Sequence, residues 1–180
     1  VTANGTKGRG SYVFGGGGAG GGINITTGGF EGVGVIRANG GSTANVSRDG
    51  GGGSGGRIAI THSSGSTTDF TIQSYGGSAS DNGDKGAAGT IYIQEPGASQ
   101  GDLRIDNNNS VTTAETTISD TSDFLDVRNV TVTGSSILSF STSTILTING
   151  DFNPESSTSF KAGSSTVVFA GVANTVNGSN

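Results

Sequence analysis

Apolar residues along this chain come in short alternating pairs, which is the pattern of β-strands. Ile23 and Ile25, Ile58 and Ile60, and Ile91 and Ile93 each enclose one other residue. Side chains of an extended strand alternate between its two faces, so each pair points to one side. Val, Ile and Thr, which are enriched in strands, dominate these runs. No segment has the length and period of an amphipathic helix, so the pattern predicts an all-β chain.

The apolar pairs recur at a fixed distance. The segment GGGGAGGGINI, which begins at Gly15, aligns with GGGGSGGRIAI from Gly50 and with GAAGTIYI from Gly86. Two series of anchor positions result: Ile23, Ile58 and Ile91, separated by 35 and 33 residues, and Val1, Ile36, Ile72 and Ile105, separated by 35, 36 and 33. A period of roughly 20–50 residues is typical of solenoids, propellers and other repeat arrays. Val1 falls in the middle of a repeat, which predicts that the array continues beyond this end.

Two interpretations of the glycine runs stay open. Glycine permits tight turns and close packing between successive repeats, so the runs can be loops. Alternatively they form a bundle of polyglycine helices with three residues per turn, similar to polyproline II. In that bundle, Ala19 and Ser54 would face outward. A phosphate-binding loop is excluded, because no amphipathic helix follows either run.

The chain changes character near Val111, where the glycine runs stop and Ser and Thr take over. Val132, Ile148 and Val168 are 16 and 20 residues apart, a spacing that predicts successive coils of a parallel β-helix. Asn149-Gly150 is also a hairpin signal, so an antiparallel β-sandwich is the structural alternative here. The prediction is an all-β, repeat-built parallel β-solenoid (β-helix) with Gly-rich loops or polyglycine segments in its N-terminal part. It divides into a Gly-rich β-repeat array at 1–109 and Ser/Thr-rich β-helix coils at 110–180.

Composition narrows the functional classes. Of the 180 residues 35 are Gly, whereas 30% are hydrophobic and 13% charged, so a large globular core is not expected. The net charge of −5 and the scattered basic residues argue against nucleic acid or an anionic membrane as partner. No stretch has the length of a membrane-spanning helix. Without Cys, disulfides and thiolate metal sites are excluded.

Candidate catalytic chemistry is sparse. His62 lies in THSSGS and is interpreted as a solvated loop residue. Asp120, Asp123 and Asp126 form the densest acidic cluster, but they are interpreted as turn and strand-start residues, because paired catalytic acids must converge on one face. The run 81–86 departs from the alternating oxygen ligands of a calcium loop. The sequence therefore predicts no enzyme activity, no catalytic residue, no cofactor and no metal site.

Several sequence blocks resemble known families. GGGGSGGRIAI, YGG, GAAGTIYI and LRIDNNN, within 50–109, resemble a Gly-rich repeat of large bacterial surface proteins. NVTVTGSSILSF, LTINGDFNP and STVVFAGVANTVNG, within 129–178, resemble the right-handed parallel β-helices of bacterial adhesins and filamentous secreted proteins. The glycine octets also resemble the polyglycine-bundle tips of phage tail adhesins. The resemblance implies an extracellular or cell-surface location, a β-solenoid, and adhesive or scaffold work.

The predicted function is that of a structural or adhesive module in an extracellular surface or filament-forming protein. End-to-end self-association, or continuation of a longer array, is the expected partner interaction, with a cell-surface or glycan ligand as a further candidate. The first alternative is a carbohydrate-binding or carbohydrate-cleaving β-helix, for which Tyr12, Tyr75 and Tyr92 are the candidate ligand-facing aromatics. The second alternative is a phage-type receptor-binding tip built on a polyglycine bundle.

Overall fold

The computed structural model describes residues 1–9, 15–44, 50–80, 83–119, 124–141, 144–156, 159–172 and 175–176. These residues form β-strands and no helix, as the alternating apolar pattern predicts. In chain order the strands are β1 (Gly22–Phe30), β2 (Gly34–Arg37), β3 (Arg57–Gly65), β4 (Phe70–Gln73), β5 (Thr90–Gln94), β6 (Asp102–Asp106), β7 (Thr116–Ile118), β8 (Phe124–Val127), β9 (Val130–Thr133), β10 (Leu138–Phe140), β11 (Ile145–Ile148), β12 (Phe152–Pro154), β13 (Phe160–Lys161) and β14 (Thr166–Phe169).

The strands are distributed over four separate sheets. The largest has six strands in the order β1-β3-β5-β6-β9-β12. Two three-stranded sheets have the orders β13-β10-β7 and β14-β11-β8, and β2 pairs with β4 alone. All pairs are parallel except β5 and β6, which are antiparallel.

The predicted single parallel β-solenoid is wrong. The sheets are several and small, none of them is closed, and the largest one is mixed. One physical reason is the turn Glu95–Ala98, in which Pro96 precedes Gly97 at φ +77° and the Ala98 N–H donates to the Glu95 carbonyl. This is the geometry of a type II β-turn, which reverses the chain and makes β5 and β6 antiparallel. Ile105 consequently pairs with Val132 and does not continue the series that pairs Ile36 with Ile72.

The second reason is that the glycine runs form no sheet. Six extended segments, 2–8, 15–21, 38–43, 50–56, 74–80 and 83–89, lie side by side in two layers of three, which we call the glycine lattice. Each layer joins segments one repeat apart: Gly5 donates to Asn39 and Gly40 to Tyr75 in one layer, and Gly20 donates to Ser54 in the other.

Hydrogen bonds within the glycine lattice follow a period of three residues. In segment 50–56, Gly52 and Gly55 donate to segment 83–89, whereas Gly53 and Gly56 donate to segment 38–43. Donors three residues apart thus point to the same neighbour, as expected for an extended helix with three residues per turn. Ala19 and Ser54 are both exposed, as the polyglycine-bundle interpretation predicts.

Close backbone approach explains why these positions are glycine. A Cβ on Gly17 would lie 1.7 Å from the Gly41 carbonyl oxygen, and one on Gly53 would lie 2.0 Å from that of Gly18. No side chain fits at such distances. Asn107, which is fully buried, completes the edge of the lattice: its Oδ1 accepts from the Gly76 N–H and its Nδ2 donates to the Gly86 carbonyl.

Two apolar cores lie on opposite faces of the six-stranded sheet. Ile23, Ile58 and Ile91 are in register across β1, β3 and β5 and belong to the first core. Leu103 on β6 belongs to the second, together with Val130 on β9. Leu103 lies opposite Tyr92 and not opposite Ile91, and directly opposed residues share a face. The buried face therefore changes between β5 and β6. The six-stranded sheet contains strands from both sides of residue 110. The division of the chain into two parts at this residue stays a prediction.

In the C-terminal part the parallel partners are 21 or 22 residues apart. Leu138 pairs with Thr116 and with Phe160, and Ile145 pairs with Phe124 and with Thr166. The spacing of 16 and 20 predicted from Val132, Ile148 and Val168 is wrong, because Val132 belongs to the six-stranded sheet and Val168 pairs with Thr147. Asn149-Gly150 joins strands of two different sheets and forms no hairpin. The described strands after residue 110 pair with one another in parallel, so the antiparallel β-sandwich alternative is also wrong.

Candidate functional site

A groove runs along the sheet where its buried face changes. Its floor is the outer face of β1, β3 and β5, on which Gly22, Arg57 and Thr90 are in register and Asn24, Ala59 and Tyr92 form the next row. The isoleucines between these positions point into the first core, so strand alternation turns the polar set outward. Three adjoining cavities of about 480, 490 and 310 Å³ occupy the space, and Arg57 and Thr90 line all three. We call this site the Tyr92 groove.

The wall of the groove comes from the second core. Thr117 and Ser119 contribute hydroxyl groups, and Leu125 and Val127 contribute apolar surface. Thr116, which directly precedes Thr117, attaches this wall to the glycine lattice, because its Oγ1 donates a hydrogen bond to the Ala88 carbonyl at 2.7 Å. The change of buried face thus places a wall of strands beside an uncovered part of the same sheet.

Tyr92 is held in a fixed position at the junction of floor and wall. Its ring packs against the second core, and its Oη accepts a hydrogen bond from the Gly101 N–H at 2.8 Å. A Cβ on Gly101 would lie 2.5 Å from the ring atom Cζ, so only glycine lets the ring lie here. Because Oη acts as an acceptor in this bond, the phenol O–H remains able to donate to a ligand.

An ion pair beside Gly101 fixes the backbone that holds Tyr92. Arg128 makes two hydrogen bonds to Asp102, Nε to Oδ1 at 2.8 Å and Nη2 to Oδ2 at 2.5 Å. The hydrogen bonds that Arg128 donates to Asp102 raise the pKa of Arg128, so the guanidinium stays charged. The Arg128 N–H donates to the Gly101 carbonyl at 2.8 Å. Side-chain and backbone contacts from one residue therefore secure the start of β6.

The groove has one uncompensated charge among its described lining residues. Arg57 is exposed and forms no ion pair with the carboxylates that the structure describes. Glu115 also lines the groove, but its Oε1 lies 2.5 Å from Lys161 Nζ. Hydrogen bonds from Lys161 and Ser139 lower the pKa of Glu115, so the carboxylate is charged and neutralised by the lysine. The remaining charge of the groove is positive.

His62 has a different place from the one predicted. It lies in β3 and is 3% exposed, so its interpretation as a solvated loop residue is wrong. Its Nδ1 is 2.9 Å from the Ser64 carbonyl, its Nε2 is 3.0 Å from Glu95 Oε2, and Thr67 donates to the other oxygen of Glu95. The ring also packs against Phe30. His62 shares the face of Ile58 and Ile60, which is opposite to the Tyr92 groove.

Of the three tyrosines proposed as ligand-facing, the structure places one in the groove. Tyr92 lines it, whereas Tyr75 lies in segment 74–80 of the glycine lattice, and Tyr12 lies outside the described residues. A ligand-binding role for any of the three stays a prediction. Arg57 and Thr90 were missed by sequence reasoning. Their signal was the row of outward positions beside the isoleucine pairs.

The acidic cluster can be followed only in part. Asp120 and Asp123 lie outside the described residues, and Asp126, on β8, accepts hydrogen bonds from Gln100 and Asn149. Within the described part of the chain, no group of three or more His, Cys, Asp or Glu side chains is placed to hold a metal ion. The same residues contain no helix that is long and apolar enough to cross a membrane.

Comparison of the chain with protein-family models, curated proteins and solved structures finds no match. The groove is therefore interpreted from its own chemistry: an aromatic ring at the edge, hydroxyls along the wall and one arginine on the floor.

Proposed function

We propose that this chain is a structural or adhesive module of an extracellular surface or filament-forming protein. The observation that carries the proposal is the glycine lattice. Its segments are joined laterally by backbone hydrogen bonds every third residue, and side chains such as Asn39 and Asn107 add a few bonds to this backbone network. The result is a scaffold that leaves the Tyr92 groove for contact with a partner.

The composition supports such a role. Extracellular modules must persist without cellular repair, and a chain free of Cys and Met has no thiol or thioether to oxidise. The lattice bonds connect segments that are distant in sequence, such as Gly20 with Ser54 and Gly40 with Tyr75. Separating two segments therefore breaks several bonds together, which favours a stiff module.

The test combines adhesion with product analysis. The protein is coupled to beads, and detachment from surfaces coated with bacterial cells or with polysaccharides is measured under flow. We expect retention above that of beads carrying the heat-unfolded chain. The same polysaccharides are incubated with the protein and assayed for new reducing ends and unsaturated sugars. Absence of adhesion on every surface would overturn the adhesive role, and release of sugar products would overturn the proposal as a whole.

Self-association is a separate part of the proposal. Among the described strands, β1 lies at an edge of the six-stranded sheet and exposes unpaired backbone groups that can accept a strand of another copy. Sedimentation velocity over a wide concentration range should show growing species. A single monomeric species at all concentrations would contradict this part.

A second candidate function is a receptor-binding tip of the phage-adhesin type. The specific observation that favours it is the three-residue period of the lattice bonds, which the resemblance of the glycine octets implies. The two candidates differ in target. Binding to vesicles that contain bacterial outer-membrane proteins, and loss of binding after protease treatment of the vesicles, would favour the tip. Binding only to polysaccharide would contradict it.

A further inference from the structure

We propose that the Tyr92 groove binds an acidic oligosaccharide, with a sugar ring on Tyr92 and a carboxylate of the ligand on Arg57. This inference rests on the proposed adhesive function and adds its ligand class. It is carried by the arrangement of ring, hydroxyls and cation within one groove.

The shape and lining of the groove suit a sugar. Sugars have apolar C–H faces and a rim of hydroxyl groups, so they need an aromatic surface together with hydrogen-bonding groups. Tyr92 supplies the ring and a free O–H, and Thr90 and Thr117 supply hydroxyls beside it. The ring is immobilised by Gly101 before any ligand arrives, which lowers the entropy lost on binding.

The charge of the groove selects an acidic sugar. Arg57 stands one strand from Thr90, with which it is in register, and Tyr92 is two residues further along β5. Adjacent strands are about 4.8 Å apart and two residues span about 6.6 Å, so the two Cα atoms are roughly 8 Å apart. A ligand can therefore place a sugar ring on Tyr92 and reach Arg57 with a carboxylate on the same ring or on a neighbouring ring. The guanidinium fork matches a carboxylate in two parallel hydrogen bonds.

No other described charge in the groove opposes this assignment. Glu115 is neutralised by Lys161, and Asp102, next to Gly101, is neutralised by Arg128. The chain as a whole is acidic, with a net charge of −5, so attraction of an anion depends on the local charge of Arg57 and not on the overall field. An uncharged glycan would leave this cation without a partner.

The experiment uses the whole chain on an array of uronic-acid and sialic-acid oligosaccharides, each printed beside its neutral methyl ester. Affinities for the tightest hit are then measured by calorimetry for wild type and variants. We expect acids to bind better than their esters, and Arg57→Gln to weaken binding of the acid about tenfold or more and to abolish the preference over the ester. Tyr92→Leu should weaken acid and ester alike.

Arg37→Gln is the matched control, because Arg37 is an exposed strand arginine that lies outside the groove and carries the same charge. It should leave binding unchanged, and circular dichroism should show all variants folded. Equal binding of acids and esters, equal effects of both arginine variants, or no binding of any acidic glycan at millimolar concentration would overturn the inference. Bead adhesion that persists in those cases would leave the proposed function standing, whereas release of sugar products would overturn that function alone.

Discussion

Gly53 of the lattice and Gly28 of β1 differ sharply in the space around their backbones. Gly53 is buried and its absent Cβ would meet the Gly18 carbonyl oxygen at 2.0 Å, whereas no atom lies within 4 Å of the corresponding position at Gly28. Both would gain the same methyl group, and both replacements would reduce the freedom of the unfolded chain equally. The pair therefore isolates the packing requirement.

We expect Gly53→Ala to lower the free energy of unfolding by about 3 kcal/mol, because a methyl group forced against the backbone must separate two lattice segments. Gly28→Ala should change it by less than about 0.5 kcal/mol. Urea unfolding followed by circular dichroism measures both. Similar values for the two variants would contradict the lattice packing.

A second prediction concerns Glu115 and pH. Its folded pKa is lowered by the hydrogen bonds from Lys161 and Ser139, so its stabilising effect is complete above the pKa of the unfolded chain, about 4.3. The effect is lost as the pH falls through the lower folded value. The stability difference between wild type and Glu115→Gln should be constant above about pH 5 and shrink below about pH 4. A pH-independent difference in urea unfolding would contradict the ion pair.

At the residue scale, the glycine runs could be recognised from the sequence as a distinct structural element, because a single residue type defines them. The glycine runs predicted either loops or a polyglycine bundle, and the choice depends on neighbours one repeat away, which a single sequence does not display. His62 was misplaced for a related reason. Ser and Gly around it suggest a turn, but Thr27 in β1 pairs with it and extends β3 through it.

The turn between β5 and β6 reverses the chain within the six-stranded sheet. Glu95-Pro96-Gly97-Ala98 carries the residues a type II turn prefers, with Pro second and Gly third. The turn signal is therefore present in the sequence, but the repeat period predicted that Ile105 continues the series of Ile36 and Ile72. Because the chain reverses at this turn, β6 does not stack in parallel on the preceding repeat, whatever the spacing of the apolar residues.

Gly97 has a φ of +77°, which an alanine adopts only with strain. We expect Gly97→Ala to destabilise the protein by about 1 kcal/mol or more, even though no atom would meet its Cβ within 4 Å. Thermal unfolding compared with Gly28→Ala, which has open space and no positive φ, is the measurement. Equal melting temperatures would show that the turn tolerates another conformation.

Register was predicted correctly where apolar pairs repeat with their flanking glycines. Ile23 pairs with Ile58, Ile58 pairs with Ile91, and Ile36 pairs with Ile72, as the period indicates. In the C-terminal part the same reasoning compared residues of different sheets. The strands there share the same residue types, Val, Ile and Thr, so their composition does not indicate which strands pair with each other.

At the scale of the whole molecule, the described residues form two cores that are connected by one sheet. Because β5 and β6 are adjacent in that sheet, unfolding of either core removes hydrogen-bond partners from the other. We expect Ile60→Ala in the first core and Ile148→Ala in the second, both fully buried, to lower the same unfolding transition by about 2–5 kcal/mol each. Calorimetry with hydrogen exchange resolved by segment is the measurement. Two transitions, with each variant moving only one, would contradict a single cooperative unit.

The glycine lattice also has a consequence for temperature. Unfolding of most proteins raises the heat capacity, because apolar surface becomes hydrated, whereas exposure of polar backbone lowers it. In the described part of this chain, the six lattice segments release mainly peptide groups, whereas the apolar side chains are concentrated in the two small cores. The heat-capacity increment should therefore fall below the usual ~12–15 cal/mol/K per residue. A smaller heat-capacity increment flattens the curve of unfolding free energy against temperature. The unfolding free energy should therefore stay nearly constant from low temperature to well above ambient temperature.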